Sequence, residues 1–150
     1  MSGENTVVYG ATKVLESAGI LIANNALAAA SALYGIEADG AGFPDAEFVL
    51  TVNYSTTPTD MSLLSLYARP MDVDGDTDTD APDATRPNVF IGAFQVDNRT
   101  GAQTLVLTPL GFVRDLPRKA EYYIHNNGTG QAVQAGWVLK VTPRSNKAAP

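Results

Sequence analysis

Most of this chain alternates apolar and polar residues with a period of two, and that alternation limits what it can fold into. In "EFVLTVNY", Phe48, Leu50, Val52 and Tyr54 fall on one side of an extended chain, and mostly polar residues fall on the other. Side chains of a β-strand point to opposite faces in turn, whereas a helix needs apolar residues three and four positions apart. The pattern recurs from residue 46 to residue 142 and predicts an all-β protein.

The same alternation assigns residues to the core and to the surface in later segments. In "RKAEYYIH", Lys119, Glu121 and His125 should face outward. The residues predicted to face the core are Phe48, Leu66, Phe94, Ala120, Tyr122, Ile124, Trp137, Leu139 and Val141.

About eight short strands at spacings of roughly 8–12 residues are typical of a sandwich or a barrel. We predict an antiparallel β-sandwich of the jelly-roll type, with residues 1–150 as a single domain. "NVFIGAFQV" is apolar on both faces, which predicts a central strand covered on two sides. "QTLVL" and "LGFVRD" are predicted short strands. Residues 1–10 and 144–150 are expected to be flexible arms.

The N-terminal segment "ANNALAAASAL" is harder to assign. Its composition suits a helix because alanine is the best helix former. It is short and uncapped, however, and a chain of strands follows it. We therefore predict that it is extended, and a helix over residues 23–33 is the alternative.

Charge and cysteine content exclude several classes of function. The net charge is −6, and without the six aspartates of residues 72–83 the remaining ten acidic residues balance ten Lys and Arg. With no basic patch to neutralise phosphates, we expect no nucleic-acid partner. The chain has no cysteine, no signal peptide is recognisable, and the longest apolar stretch is interrupted by Asn24 and Asn25. We expect a soluble protein with no membrane partner.

The aspartates of "MDVDGDTDTDAPD" resemble a metal site. Counted from Asp72, they match the liganding positions of an EF-hand loop. However, Thr77 stands where that loop needs glycine, Asp83 replaces the final bidentate glutamate, and no helix is predicted on either side. We interpret the Asp72–Asp83 segment as a solvated loop that favours solubility. A looser calcium site in the same loop is the alternative.

Two further sets of residues could carry chemistry. His125, the only histidine, shares a strand face with Glu121 and could act as a general base, but a surface histidine at a strand end is the favoured interpretation. Trp137 with Tyr122 and Tyr123 could form a sugar-stacking platform. Since Trp137 and Tyr122 lie in the core phase of the alternation, we expect them to be core residues and only Tyr123 to lie outside.

Three segments, "LYARPMDVDG", "GAFQVDN" and "LPRKAEYYIHNNGTGQAVQAGWVLKVTP", together with the upstream "SAGILIANNALAAAS", resemble one family. The chain from about Ser17 to Pro143 is similar to jelly-roll cement (decoration) proteins on the HK97-type capsids of tailed bacteriophages. The resemblance implies a structural virion protein without catalytic residues or cofactors. Its implied partners are the major capsid protein and further copies of itself, as a homodimer or homotrimer. Its implied location is the capsid surface, after synthesis in the bacterial cytoplasm.

Three alternatives stay open at this point. The first is a carbohydrate- or receptor-binding jelly roll of a phage tail or fibre, which would need Trp137 and Tyr123 exposed in one groove. The second is a small lyase or hydrolase, which would need His125 in a cleft beside Glu121 or another acid. The third is a different neck or tail component of the particle.

Overall fold

The structure, a computed structural model, describes residues 5–71, 80–86, 88–107 and 116–148. Those ranges contain strands, turns and bends and no helix, so the predicted all-β fold is confirmed. The strands are β1 (Asn5–Tyr9), β2 (Lys13–Gly19), β3 (Leu27–Ala29), β4 (Asp45–Tyr54), β5 (Leu63–Pro70), β6 (Val89–Gln95), β7 (Gly101–Leu107), β8 (Ala120–Asn127) and β9 (Trp137–Ala148).

The strands form two antiparallel sheets. In the five-stranded sheet the order is β1-β9-β4-β7, and β2 pairs with β9 on the same side as β1. In the four-stranded sheet the order is β3-β8-β5-β6. The sandwich architecture is confirmed, whereas the jelly-roll type stays a prediction.

The core lies between the inward faces of the two sheets, as the alternation predicts. Phe48 of the first sheet and Tyr122 of the second meet there, with ring centroids 5.3 Å apart. The predicted core residues are all buried, namely Phe48, Leu66, Phe94, Ala120, Tyr122, Ile124, Trp137, Leu139 and Val141. Side chains from both sheets therefore interdigitate in one contiguous core.

Trp137 is held at the end of this core by a close backbone approach. A Cβ atom added to Gly19 would lie 2.0 Å from the indole ring, so only glycine fits opposite it. The indole Nε1 donates a hydrogen bond of 2.7 Å to the carbonyl oxygen of Ile20. A buried tryptophan N–H needs such an acceptor, and the β2–β3 connection supplies it.

The N-terminal segment is extended, as predicted. Leu27–Ala29 form β3, and Tyr34 makes a β-bridge to Ala120. Alanine's helix propensity is overridden here because Ala28 and Ala30 pack into the sandwich core. Local propensity is a weak prior where tertiary burial is available.

Two expectations about strands need correction. β6, predicted to be a central strand covered on both faces, lies at the edge of the four-stranded sheet, and Phe90 is 52% exposed. Residues 5–9 and 144–148, expected to be flexible arms, pair with each other in register as β1 and the end of β9. "QTLVL" lies in β7 as predicted, and the predicted strand "LGFVRD" lies outside the described residues.

Candidate interaction surface

The outward face of the four-stranded sheet carries a row of aromatic residues. In β-sheet register, Tyr67 of β5 lies opposite Tyr123 of β8 on one side and opposite Phe90 of β6 on the other. Ala29 of β3 extends the same row beyond Tyr123. We call the outward-facing residues Leu63, Tyr67, Phe90, Tyr123 and His125 the aromatic face.

The rings of this face contact one another across strands. Tyr67 packs edge-to-face on Phe90, with centroids 5.5 Å apart and an interplanar angle of 60°. The Tyr123 hydroxyl donates a hydrogen bond to the Glu121 carboxylate on the same strand. Phe90 and Leu63 remain substantially exposed, whereas Tyr123 is almost fully covered. A solvent-facing sheet surface normally carries polar residues, so this one has the composition of a contact surface.

His125 differs from its expected surface position. Its side chain is only 9% exposed and lies in register between Leu27 and Ser65. The imidazole centroid is 6.1 Å from that of Tyr67, and Nδ1 is buried without a hydrogen-bond partner among the described residues. The alternation placed His125 on the correct sheet face, but neighbouring rings cover that face.

The structure does not pair His125 with Glu121, as the enzyme alternative would need. It required His125 beside an acid, with Glu121 as the named candidate. The Glu121 carboxylate instead accepts a hydrogen bond from Tyr123, and Glu121 lies opposite Arg69 in the sheet register. The imidazole lies near the Tyr67 ring, and His125 has Leu27 and Ser65 as its cross-strand neighbours.

The sugar-platform alternative needs an exposed Trp137, and the structure buries this residue. Trp137 is 1% exposed and Tyr122 is fully buried, which confirms their predicted core positions. Tyr123 belongs to the other sheet from Trp137 and faces away from the core. The tilted rings of Tyr67 and Phe90 also do not present one flat surface on which a pyranose ring could stack.

The described residues include only the end of the acidic segment. Residues 72–79 lie outside the described residues, whereas Asp80 and Asp83 are described and exposed. Asp83 Oδ1 accepts hydrogen bonds from the Thr85 hydroxyl at 2.6 Å, from the Thr85 N–H at 2.8 Å and from the Arg86 N–H at 2.9 Å. These bonds, the Thr85 hydroxyl foremost, lower the pKa of Asp83 to about 2.

Asp83 therefore stabilises its own turn. Arg86 approaches both carboxylates, at 3.4 Å from Asp83 and 3.6 Å from Asp80. Within the described ranges, no three His, Asp or Glu side chains cluster in a way that could hold a metal ion. A calcium site over residues 72–79 stays a hypothesis.

A cleft of about 500 Å³, which the sequence did not indicate, lies beside the Leu33–Asp39 loop. Four of its charged lining residues form two ion pairs: Lys13 Nζ lies 2.7 Å from Asp39, and Arg118 pairs with Glu37. Lys119 is a fifth charged lining residue. Asp39 also accepts the Gly35 N–H at 3.0 Å, which closes the loop. The two ion pairs therefore hold the Leu33–Asp39 loop to Lys13 and Arg118 and use four of the five charged lining residues.

Comparisons with known proteins found no match: no family model, no curated protein and no solved structure aligns significantly with the chain. Across the described residues, no helix is long and apolar enough to span a membrane.

Proposed function

We propose that this protein is a structural virion protein of a tailed bacteriophage, a capsid decoration (cement) protein that binds the outside of the assembled shell and stabilises it. The observation that carries the proposal is the aromatic face, an apolar surface on the outside of a β-sandwich whose core is already complete. The sequence resemblance between Ser17 and Pro143 supports the same assignment. The jelly-roll type of sandwich belongs to this proposal, as does location in the virion.

The physical argument concerns where apolar area is placed. The inward faces of both sheets are buried, so folding does not require Tyr67 and Phe90 to be aromatic. Exposed apolar patches on a folded domain mark contact sites or aggregation hazards. On a capsid each copy needs only a modest contact, because many copies bound to one lattice stabilise it together. The proposal assigns no catalytic residue, cofactor or nucleic-acid contact.

Co-sedimentation with bare capsids of the source phage tests the proposal, with unassembled shell subunits as the control. We expect the protein to pellet with capsids and not to bind free subunits, because its proposed site spans neighbouring subunits of the lattice. Binding only the assembled form must stabilise that form, so decorated capsids should resist heat better than bare ones. A protein that stays in the supernatant with capsids and is retained on a polysaccharide column contradicts the proposal and favours a sugar-binding module.

A matched pair of variants tests the surface itself. Tyr67→Ser combined with Phe90→Ser removes two side chains of the aromatic face, and Val7→Ser combined with Val14→Ser removes two exposed side chains of the five-stranded sheet. We expect the first variant to lose capsid binding while remaining folded, and the second to bind like the unmodified protein. Equal binding by both variants would exclude the aromatic face as the attachment surface.

A further inference from the structure

The open edges of the two sheets are unequally protected against pairing with another strand. An edge strand presents unpaired backbone N–H and C=O groups, and natural proteins blunt such edges with bulges, short strands or charges. β2 contains two register shifts, β6 contains one, and β3 has only three residues. β1 is five residues long, and its last residue, Tyr9, lies opposite the charged Arg144 of β9.

β7 has none of these devices. Its seven residues pair with β4 without a register shift, from Phe48 opposite Leu107 to Tyr54 opposite Gly101. Neither β7 nor the stretch of β4 beside it contains a charged residue. Among the described residues β4 is the only strand that pairs with β7, and Val106 is 59% exposed.

We propose that β7 pairs with β7 of a second copy of this chain, antiparallel and around a two-fold axis at Thr104, which joins the five-stranded sheets of both copies. The sequence of β7 is self-complementary in that register. Thr104 faces Thr104, and Ala102 faces Val106, so small and large side chains alternate across the outward face. Thr–Thr pairs are favourable cross-strand neighbours. Thr104 already makes such a pair within one copy, where its hydroxyl lies 3.5 Å from that of Thr51.

The regularity of the pairing, rather than charge, favours a second copy at β7 over the other long edge, β6. Neither strand contains a charged residue, and Asp97 lies in the connection between them, so like-charge repulsion does not distinguish the two edges. β6 pairs with β5 through a register shift between Leu66 and Tyr67, whereas β7 pairs with β4 over its whole length without one. A strand of a second copy can therefore add to β7 without meeting a bulge or a charge.

The predicted dimer is weak. One seven-residue edge buries much less than the roughly 1,200–2,000 Å² of a stable interface, so association should depend on concentration. The chain contains no cysteine, so a single introduced cysteine reports on one position only. Residues directly opposite each other in an antiparallel pair have Cα atoms about 4.5–5.5 Å apart, within the range that a disulfide spans.

Cysteine trapping on the purified protein tests this pairing, and it does so whether or not the protein binds capsids. We expect Thr104→Cys to form a disulfide-linked dimer on the order of tenfold faster than Thr51→Cys, because pairing holds the two thiols at high effective concentration. Thr51 is the matched control: the same residue type on the same face, one strand further from the edge. Equal rates of disulfide formation for the two variants, or no dimer from either, would overturn the proposal. The partner of β7 would then be a different extended segment.

Charge substitution at the axis gives a second, independent readout. Thr104→Glu places two carboxylates opposite each other, so sedimentation velocity should show loss of the concentration-dependent dimer. Thr104→Lys should have the same effect alone, and mixing the two variants should restore a dimer. Thr51→Glu should leave association unchanged. Dimers that persist in Thr104→Glu, or that fail to return in the mixture, would contradict the two-fold pairing at Thr104.

Discussion

The two sheets bury similar inward faces but present different outward ones. The five-stranded sheet places Glu47, Thr51, Asn53 and Lys140 outside, interspersed with single valines. The four-stranded sheet places the aromatic face outside. The comparison teaches that alternation constrains only the side facing the core. What lies on the other side is free to serve contacts with other molecules. Here the four-stranded sheet carries Tyr67, Phe90 and Tyr123 in one row, whereas Tyr9 is the single outward aromatic residue on the described strands of the five-stranded sheet.

If the aromatic face stabilised the fold as much as the inward core does, the contrast between inward and outward faces would not hold. Measurements of the free energy of unfolding test this. We expect Trp137→Ala, on the inward face, to lower the free energy of unfolding by roughly 3–5 kcal/mol, because a fully buried large side chain leaves a cavity. Phe90→Ser, at a half-exposed position, should cost much less. Urea denaturation of both variants measures the difference. A Phe90→Ser cost equal to that of Trp137→Ala would show that the aromatic face stabilises the fold.

The inward tyrosines make a prediction about pH. Burial, with smaller contributions from Asp39 and Asp45, raises the pKa of Tyr34 to about 12, and burial also raises that of Tyr122. The unfolded chain ionises near pH 10 while the folded core keeps these hydroxyls neutral. Their stabilisation is therefore fully present below pH 10 and is lost as the pH rises towards 12.

We expect Tyr34 alone to account for a loss of roughly 2 kcal/mol at the top of that range. Denaturation at a series of pH values measures the loss, and Tyr34→Phe should flatten it. A Tyr34→Phe variant with the same alkaline dependence as the parent would contradict the assignment.

Two neighbouring tyrosines sharpen the comparison between the faces of one sheet. The Tyr122 hydroxyl is buried without a hydrogen-bond partner among the described residues, whereas the Tyr123 hydroxyl bonds to Glu121. Tyr122→Phe should therefore be neutral or slightly stabilising, and Tyr123→Phe should cost about 0.5–1.5 kcal/mol. Thermal unfolding of both variants gives the signs. Destabilisation by Tyr122→Phe would mean that a water or a residue outside the described ranges bonds to the Tyr122 hydroxyl.

The smallest effect is expected from the acidic segment. Replacing Asp74, Asp76 and Asp78 with asparagine should change the free energy of unfolding by less than about 0.5 kcal/mol, as for most surface substitutions away from the core. These positions lie outside the described residues, and the prediction rests on their sequence. A saturable rise in melting temperature with millimolar calcium, abolished in the triple variant, would instead establish a cation site there.

Sequence alone predicted which side chains face inward, because strand geometry alone imposes the alternation. Phe48, Phe94 and Trp137 were assigned correctly on that basis. It could not predict which strands are neighbours. "NVFIGAFQV" suits a covered central strand and equally an edge strand with an outward phenylalanine, and only the order of the strands distinguishes the two.

The same reason explains what was missed at the candidate surface. Tyr67 and Tyr123 are far apart in the sequence and meet only because β5 pairs with β8. His125 is covered because Tyr67 comes from that neighbouring strand. The pairing of residues 5–9 with residues 144–148 is still more distant in sequence, and nothing local to either segment indicates it.

The position of β9 has a consequence for how the protein is made. β9 is the described strand partner of both β1 and β2, and it also pairs with one side of β4. All described strands of the four-stranded sheet have been synthesised once translation passes residue 127. The five-stranded sheet lacks part of β9 until translation passes residue 148. Such long-range pairing is intrinsically slow. During that interval Leu50 and its neighbours lack their β9 partners, which makes the nascent chain a candidate client for chaperones.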